Sequence, residues 1–173
     1  DQEYNLMMHP DLLSKGHTQW YYFEVRNMQP GLAYRLNVTN FSKADSLYME
    51  GMQPLLYSEK ESERSGMGWR RAGRDVWYYR NTMTLAEAER RGNARAKATP
   101  FLAGYSLTFT VRFPHAGDVC YLAYGHPYTW TDLQAYLRPL ALDDQKKRLV
   151  RRRELCRTLA GNRCDLLTIT NPR

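Results

Sequence analysis

The chain has 173 residues, 43% hydrophobic and 13% aromatic, with 25 basic against 18 acidic side chains for a formal net charge of +7. That balance fits one sizeable folded domain, or one domain and the beginning of a second, and excludes a wholly disordered chain. No stretch approaches the ~18 uninterrupted apolar residues of a transmembrane helix, which excludes a membrane partner of that kind.

Asp1-Gln-Glu-Tyr4 lacks the basic-then-apolar pattern of a secretory leader and reads as a processed boundary. Gln19 to Arg26 is the first strand candidate, and Met28-Gln-Pro-Gly31 supplies type II turn chemistry, with Pro30 at the position of fixed φ and Gly31 where φ must be positive. Tyr34 to Thr39 alternates Tyr34, Leu36 and Val38 against Arg35, Asn37 and Thr39, the period of a half-buried strand. Asn37-Val-Thr39 and Asn40-Phe-Ser42 match the glycosylation triplet but lie in or beside that strand, and are read as chance. Leu47 to Met49, Pro54 to Tyr57 and Val76 to Arg80 are further strand candidates, rich in residues that fit a pleated surface.

Residues 82 to 104, rich in Ala and Arg, are too long for a hairpin connection and read as a mobile insertion, with a short helix at Thr84 to Arg91. The clearest strand follows: in Tyr105 to Phe113, five apolar side chains share one face. Val119 to Tyr124 completes a set of short strands that together predict an antiparallel β-sandwich. Adjacent aromatics such as Trp20-Tyr21-Tyr22-Phe23 and Trp77-Tyr78-Tyr79 must split between the core and the outer face.

At Pro127 the grammar changes. Thr131-Asp-Leu-Gln134 has capping-box form, and Leu133, Tyr136 and Leu137 recur at helical spacing before Pro139, which is expected to stop the helix. A second helix is predicted over about Asp143 to Leu159, closed by Gly161-Asn162, and then a strand over Cys164 to Thr170. The fold class is therefore mainly β: a sandwich over residues 1 to 127, then a helix-helix-strand opening of an α/β unit over 128 to 173. A cut-open unit of that kind should expose apolar surface.

Candidate chemistry is sparse. None of His9, His17, His115 and His126 begins a His-Glu-x-x-His pair, and Cys156 and Cys164 are too widely spaced for a Cys-x-x-Cys knuckle. Cys120 sits in an apolar strand as a structural thiol, and the three cysteines read as free thiols in a reducing compartment. No nucleophile elbow or phosphate loop occurs. No catalytic or metal-binding residue is assigned in this chain, and no cofactor. The one charged concentration is residues 143 to 157, seven bases against three acids, where Lys146, Lys147, Arg148, Arg151, Arg152 and Arg153 form a candidate basic patch for an acidic partner.

Three stretches resemble one family. They are Gly51-Met-Gln-Pro-Leu-Leu-Tyr-Ser-Glu-Lys60 with Gly68-Trp69-Arg70 and Tyr78-Tyr79-Arg80-Asn81; Leu107 to His115 with Asp118 to Tyr124 and Pro127-Tyr-Thr129; and Leu155 to Asn162 with Leu166 to Thr170. In this order they resemble the cytosolic metallocarboxypeptidases that shorten polyglutamate on tubulin. The resemblance implies structural roles for Pro114, His115, Asp118, Cys120, Tyr121, Tyr124, Pro127, Tyr128, Gly161 and Asn162. It implies an amino-terminal β-sandwich followed by the start of an α/β zinc carboxypeptidase domain, truncated here. The strand matching Leu166 to Thr170 runs in the family into a His-x-x-Glu zinc pair, and the other zinc His, the carboxylate-binding Arg and the general-base Glu lie further on, so none is carried over and this chain alone is expected to be inactive. The parent would be a cytoplasmic, microtubule-associated zinc peptidase, with the remainder of its own catalytic domain and tubulin or other glutamylated proteins as partners. The alternative is a free-standing β-sandwich module binding an acidic peptide or other polyanion; nucleic acid is not the expected partner.

Overall fold

The computed structural model describes residues 2–14, 17–81 and 104–170, so the predicted insertion at 82 to 104, with its short helix, lies outside the described residues except for Gly104. The chain divides into two compact units, Asp1–His126 and Pro127–Arg173.

The first unit is two four-stranded sheets. One has the order β1 (Gln2–Leu6), β3 (Tyr34–Phe41), β7 (Tyr105–Val111) and β6 (Arg74–Arg80); the other has β2 (Tyr22–Val25), β8 (Cys120–Ala123), β4 (Leu55–Ser58) and β5 (Arg70–Arg71). All pairs are antiparallel except β1 with β3, which run parallel from Gln2 against Tyr34 to Leu6 against Val38. Alternation decides the core: Leu36 and Val38 from β3, Leu107, Phe109 and Val111 from β7, Leu56 from β4, and Cys120 and Leu122 from β8 meet between the sheets. Phe113 joins them beyond the end of β7, and Tyr105 packs against the cluster, so the five apolar positions predicted to share a face do so.

The Gln29–Leu32 turn carries Gly31 at φ +86 and a Leu32 N–H to Gln29 carbonyl bond, as its Pro-Gly chemistry requires. Asn37 is buried, and Asn40 clamps the backbone of Met8 through both amide atoms (2.8 Å each), so both glycosylation triplets are structural asparagines. Leu47–Glu50 is a 3₁₀ turn and not the predicted strand: the Ser46 hydroxyl caps it, and Gly51 closes it at φ +89. The polar strand β1 has no apolar alternation by which to recognise it.

In the second unit α2 (Trp130–Leu142; α1 is Glu59–Ser65 in the first) is capped by Thr129 and Asp132, two residues before the predicted box. Pro139 does not stop it. The proline ring gives up one N–H bond but holds a helical φ, and the helix closes one turn later with Asp143 N–H to the Pro139 carbonyl. The predicted helix over Asp143 to Leu159 is overturned: only Lys146–Leu149 is helical (α3), and β9 (Val150–Arg157) pairs antiparallel with β10 (Arg163–Ile169). The unit opens helix, short helix, strand, strand. Gly161, at φ +79, terminates no helix but turns this hairpin, with Thr158 N–H bonded to the Asn162 carbonyl at 2.9 Å.

Candidate functional site: an aromatic face, a buried aspartate and a basic strand

The aromatic runs split as alternation demands. Tyr21 is buried at the core, its hydroxyl 2.9 Å from that of Tyr48, while Trp20 and Tyr22 are exposed. On the outer face, ring centroids link Tyr22 to Trp69 (5.9 Å), Trp69 to Tyr57 (5.5 Å), Tyr57 to Tyr121 (6.2 Å) and Tyr121 back to Tyr22 (5.9 Å), with Trp20 and His126 at the margins. Each spacing suits an edge or tilted aromatic pair. The Tyr121 hydroxyl donates to Glu59 at 2.9 Å, and that bond to a carboxylate, ahead of burial, makes the phenol harder to ionise, raising its pKa to about 12.

Beneath this face the Asp118 carboxylate organises the strand-to-helix corner. It accepts from the Ser58 hydroxyl (2.5 Å), the Lys60 backbone N–H (3.1 Å) and the Cys120 thiol (3.3 Å). Ser58 also caps α1 by accepting from Glu61 N–H. Burial works to raise the Asp118 carboxyl, and the hydrogen bonds outweigh it, so it lies below the usual range. His115 sits 2.6 Å from Glu61, and Tyr124 packs against Tyr48 and Tyr21 at the core rim. Pro114 is half-buried, Pro127 begins the second unit, and Tyr128 is 67% exposed. Among the described residues, no reactive set assembles at these positions.

The six candidate basic residues do not share one environment. Lys146 pairs with Asp143 (3.2 Å) and Lys147 with Asp144. Arg152 points to the face of the hairpin covered by α2 and pairs with Asp165. Arg148, Arg151 and Arg153 are exposed, with no carboxylate within ion-pair distance among the described residues. Apolar side chains of the same two strands are exposed as well: Leu155 is 62% exposed, Leu166 42% and Ile169 73%. The composition signalled the charge cluster. The Asp165 partner that removes Arg152 from it lies thirteen residues on, in a strand whose pairing the helix prediction hid.

Among the described residues, no three His, Cys, Asp or Glu side chains come together as a metal-binding group, and no helix is long and apolar enough to cross a membrane.

No family model matches the chain. Its sequence is 45% identical over 170 residues to a Xenopus tropicalis protein named cytosolic carboxypeptidase 2, covering 98% of this chain and 16% of that protein. It is 46% identical to the Danio rerio cytosolic carboxypeptidase 2, covering 98% and 22%, and 42% identical to the human cytosolic carboxypeptidase 1, covering 97% and 13%. The chain thus spans between 13% and 22% of the length of these relatives. Among solved structures, a Burkholderia cenocepacia metallo-carboxypeptidase shares the fold with a TM-score of 0.61 at 17% identity, over 98% of this chain and 34% of that one. A Pseudomonas aeruginosa metallo-carboxypeptidase, solved with (2-guanidinoethylmercapto)succinic acid, gives 0.59 at 20% identity over 96% and 34%.

Proposed function

We propose, for a chain that belongs by sequence with the cytosolic carboxypeptidases along the length it spans, a place at the front of a larger zinc metallocarboxypeptidase. On this reading residues 1–127 are a non-catalytic β-sandwich that supports folding and substrate access, and residues 128–173 begin the catalytic domain. The observation that carries it is identity of 42–46% held across 97–99% of the chain, in relatives several times its length.

The metal would be held outside the described residues. Here His115 is engaged with Glu61 and His126 packs on Trp69, while Cys120 is enclosed beside Asp118. These residues do not fit a zinc site. What this chain offers a substrate is charge: Arg148, Arg151 and Arg153, exposed on one short segment, would draw in acidic protein tails such as glutamylated tubulin in the cytoplasm, on or near microtubules.

The test is release of C-terminal glutamate from glutamylated tubulin by the full-length parent, abolished by a chelator. The 173-residue chain alone is expected to release none and to hold no stoichiometric zinc. A parent inactive on every acidic C terminus would overturn the reading, and zinc-dependent release by the short chain would move the active site into it.

A further inference from the structure

Cys156 and Cys164 occupy directly opposed positions in the β9–β10 ladder. Opposed residues of an antiparallel pair place their side chains on the same side of the sheet, with Cα atoms about 4.5 to 5.5 Å apart. A disulfide needs Cα atoms about 4.4 to 6.8 Å apart, so the ladder itself meets the main condition for a cross-strand bond. Three further observations bear on it. The register shift between Cys164 and Asp165 puts a bulge beside the pair, which gives the backbone local freedom to twist. Cys156 is exposed and Cys164 half-buried, so Cys156 is the more open of the two to a reagent. The Cys164 thiol is pushed up chiefly by the charge of the neighbouring Cys156 sulfur, and after it by burial.

We infer that Cys156 and Cys164 form a dithiol site that exchanges with small-molecule disulfides of the glutathione class, closing a cross-strand disulfide that locks the β9–β10 hairpin. The Cys156 thiolate attacks one sulfur of glutathione disulfide, forming a mixed disulfide and expelling one glutathione thiolate. The Cys164 thiolate then attacks the Cys156 sulfur of that mixed disulfide and expels the second. Two electrons pass from the cysteine pair to glutathione disulfide, and the two cysteine protons end on two glutathione thiols. Excess reduced glutathione reverses both steps.

Locking acts on the strand that presents Arg151 and Arg153 and that pairs Arg152 with Asp165. Cys120 takes no part, being fully enclosed with its thiol pushed up to about 12 by burial and by Asp118.

The full chain is equilibrated with glutathione disulfide, quenched in acid, alkylated and analysed by intact mass and peptide mapping. The expected product is lighter by two hydrogens, loses two alkylation sites, carries a 156–164 linkage, and leaves Cys120 alkylated only after denaturation. Cys164→Ser is expected to stop at a stable glutathione adduct on Cys156, and amide exchange in residues 150–169 should slow in the oxidised wild type. Glutathione adducts persisting on both cysteines of the wild type, disulfide-linked dimers in place of the internal bond, or two free thiols at full excess of glutathione disulfide would each overturn the proposal. Because peptidase activity is not a readout, the outcome is independent of the functional reading above.

Discussion

Arg152 grips Asp165 across the hairpin with two arms, Nε to Oδ1 and Nη2 to Oδ2, both at 2.8 Å, and the Asp165 side chain is only 2% exposed. The Gln134 amide donates to the same carboxylate from α2 at 2.9 Å, and the Arg163 Nε lies 2.7 Å from Oδ1. One carboxylate therefore ties two strands and a helix together, in a geometry that favours planar, two-point recognition.

That arrangement makes the second unit acid-sensitive. The Arg152 guanidinium, and after it the Gln134 amide, hold the Asp165 carboxyl well below the usual carboxylate range. A depressed folded-state value means the stabilisation is fully present above the ordinary carboxylate value near ~4 and is lost as pH falls through the depressed one. Protection factors for amides in 150–169 should drop between about pH 5 and about pH 2. Asp165→Asn should start lower and lose most of that dependence. A wild-type profile that is flat across the same range would refute the ion pair's role.

The same pair explains where the sequence misleads. β3 and β7 are readable because every second residue is apolar and faces the core. In β9 the inward position next to Val150 is Arg152, tolerable only because Asp165 neutralises it, so the period of two is hidden and the Lys- and Arg-rich run imitates a helix. Leu47 to Met49 resembles a strand in composition, but Ser46 and Gly51 decide the matter through capping. The aromatic runs disclose their split between faces from alternation alone, whereas the ring that Tyr22, Trp69, Tyr57 and Tyr121 form draws on four separate segments and has no local signature.

Two glycines should separate backbone strain from crowding. Both adopt positive φ, +86 at Gly31 and +98 at Gly73, but a Cβ at Gly31 meets nothing within 4 Å, while one at Gly73 lies 3.3 Å from the Pro54 ring and 3.6 Å from Phe109. Gly31→Ala should cost about 1–2 kcal/mol through conformation alone. Gly73→Ala should cost measurably more in urea unfolding, because a proline ring beside the core yields little. Equal costs would mean that the Pro54 contact is soft.

Cys120 should be inert in the folded chain. Burial, and after it the Asp118 carboxylate, push its thiol up to about 12, and the thiolate is the reactive form. At about pH 8 iodoacetamide should label it only on unfolding. Asp118→Asn removes the smaller cause and leaves burial, so labelling of Cys120 should quicken yet stay slower than that of exposed Cys156. Native labelling of Cys120 as fast as Cys156 would contradict the enclosure.

The basic strand calls for a substitution that separates charge from fold. Reversing Arg152 removes the Asp165 partner and loosens the hairpin, so any lost activity would be ambiguous. Arg151 and Arg153 lie on the opposite, exposed side and pair with no described carboxylate, so Arg151→Glu with Arg153→Glu changes the field and spares the hairpin. In the full-length parent that double variant should lower kcat/KM on glutamylated tubulin by about tenfold at low salt, the scale of electrostatic steering, through slower encounter. The difference should fade as added salt shortens the screening length, and protection in 150–169 should not change. An unaltered kcat/KM at low salt would remove this strand from substrate capture, and a deficit that persists at high salt would mean that the arginines act through something other than long-range charge.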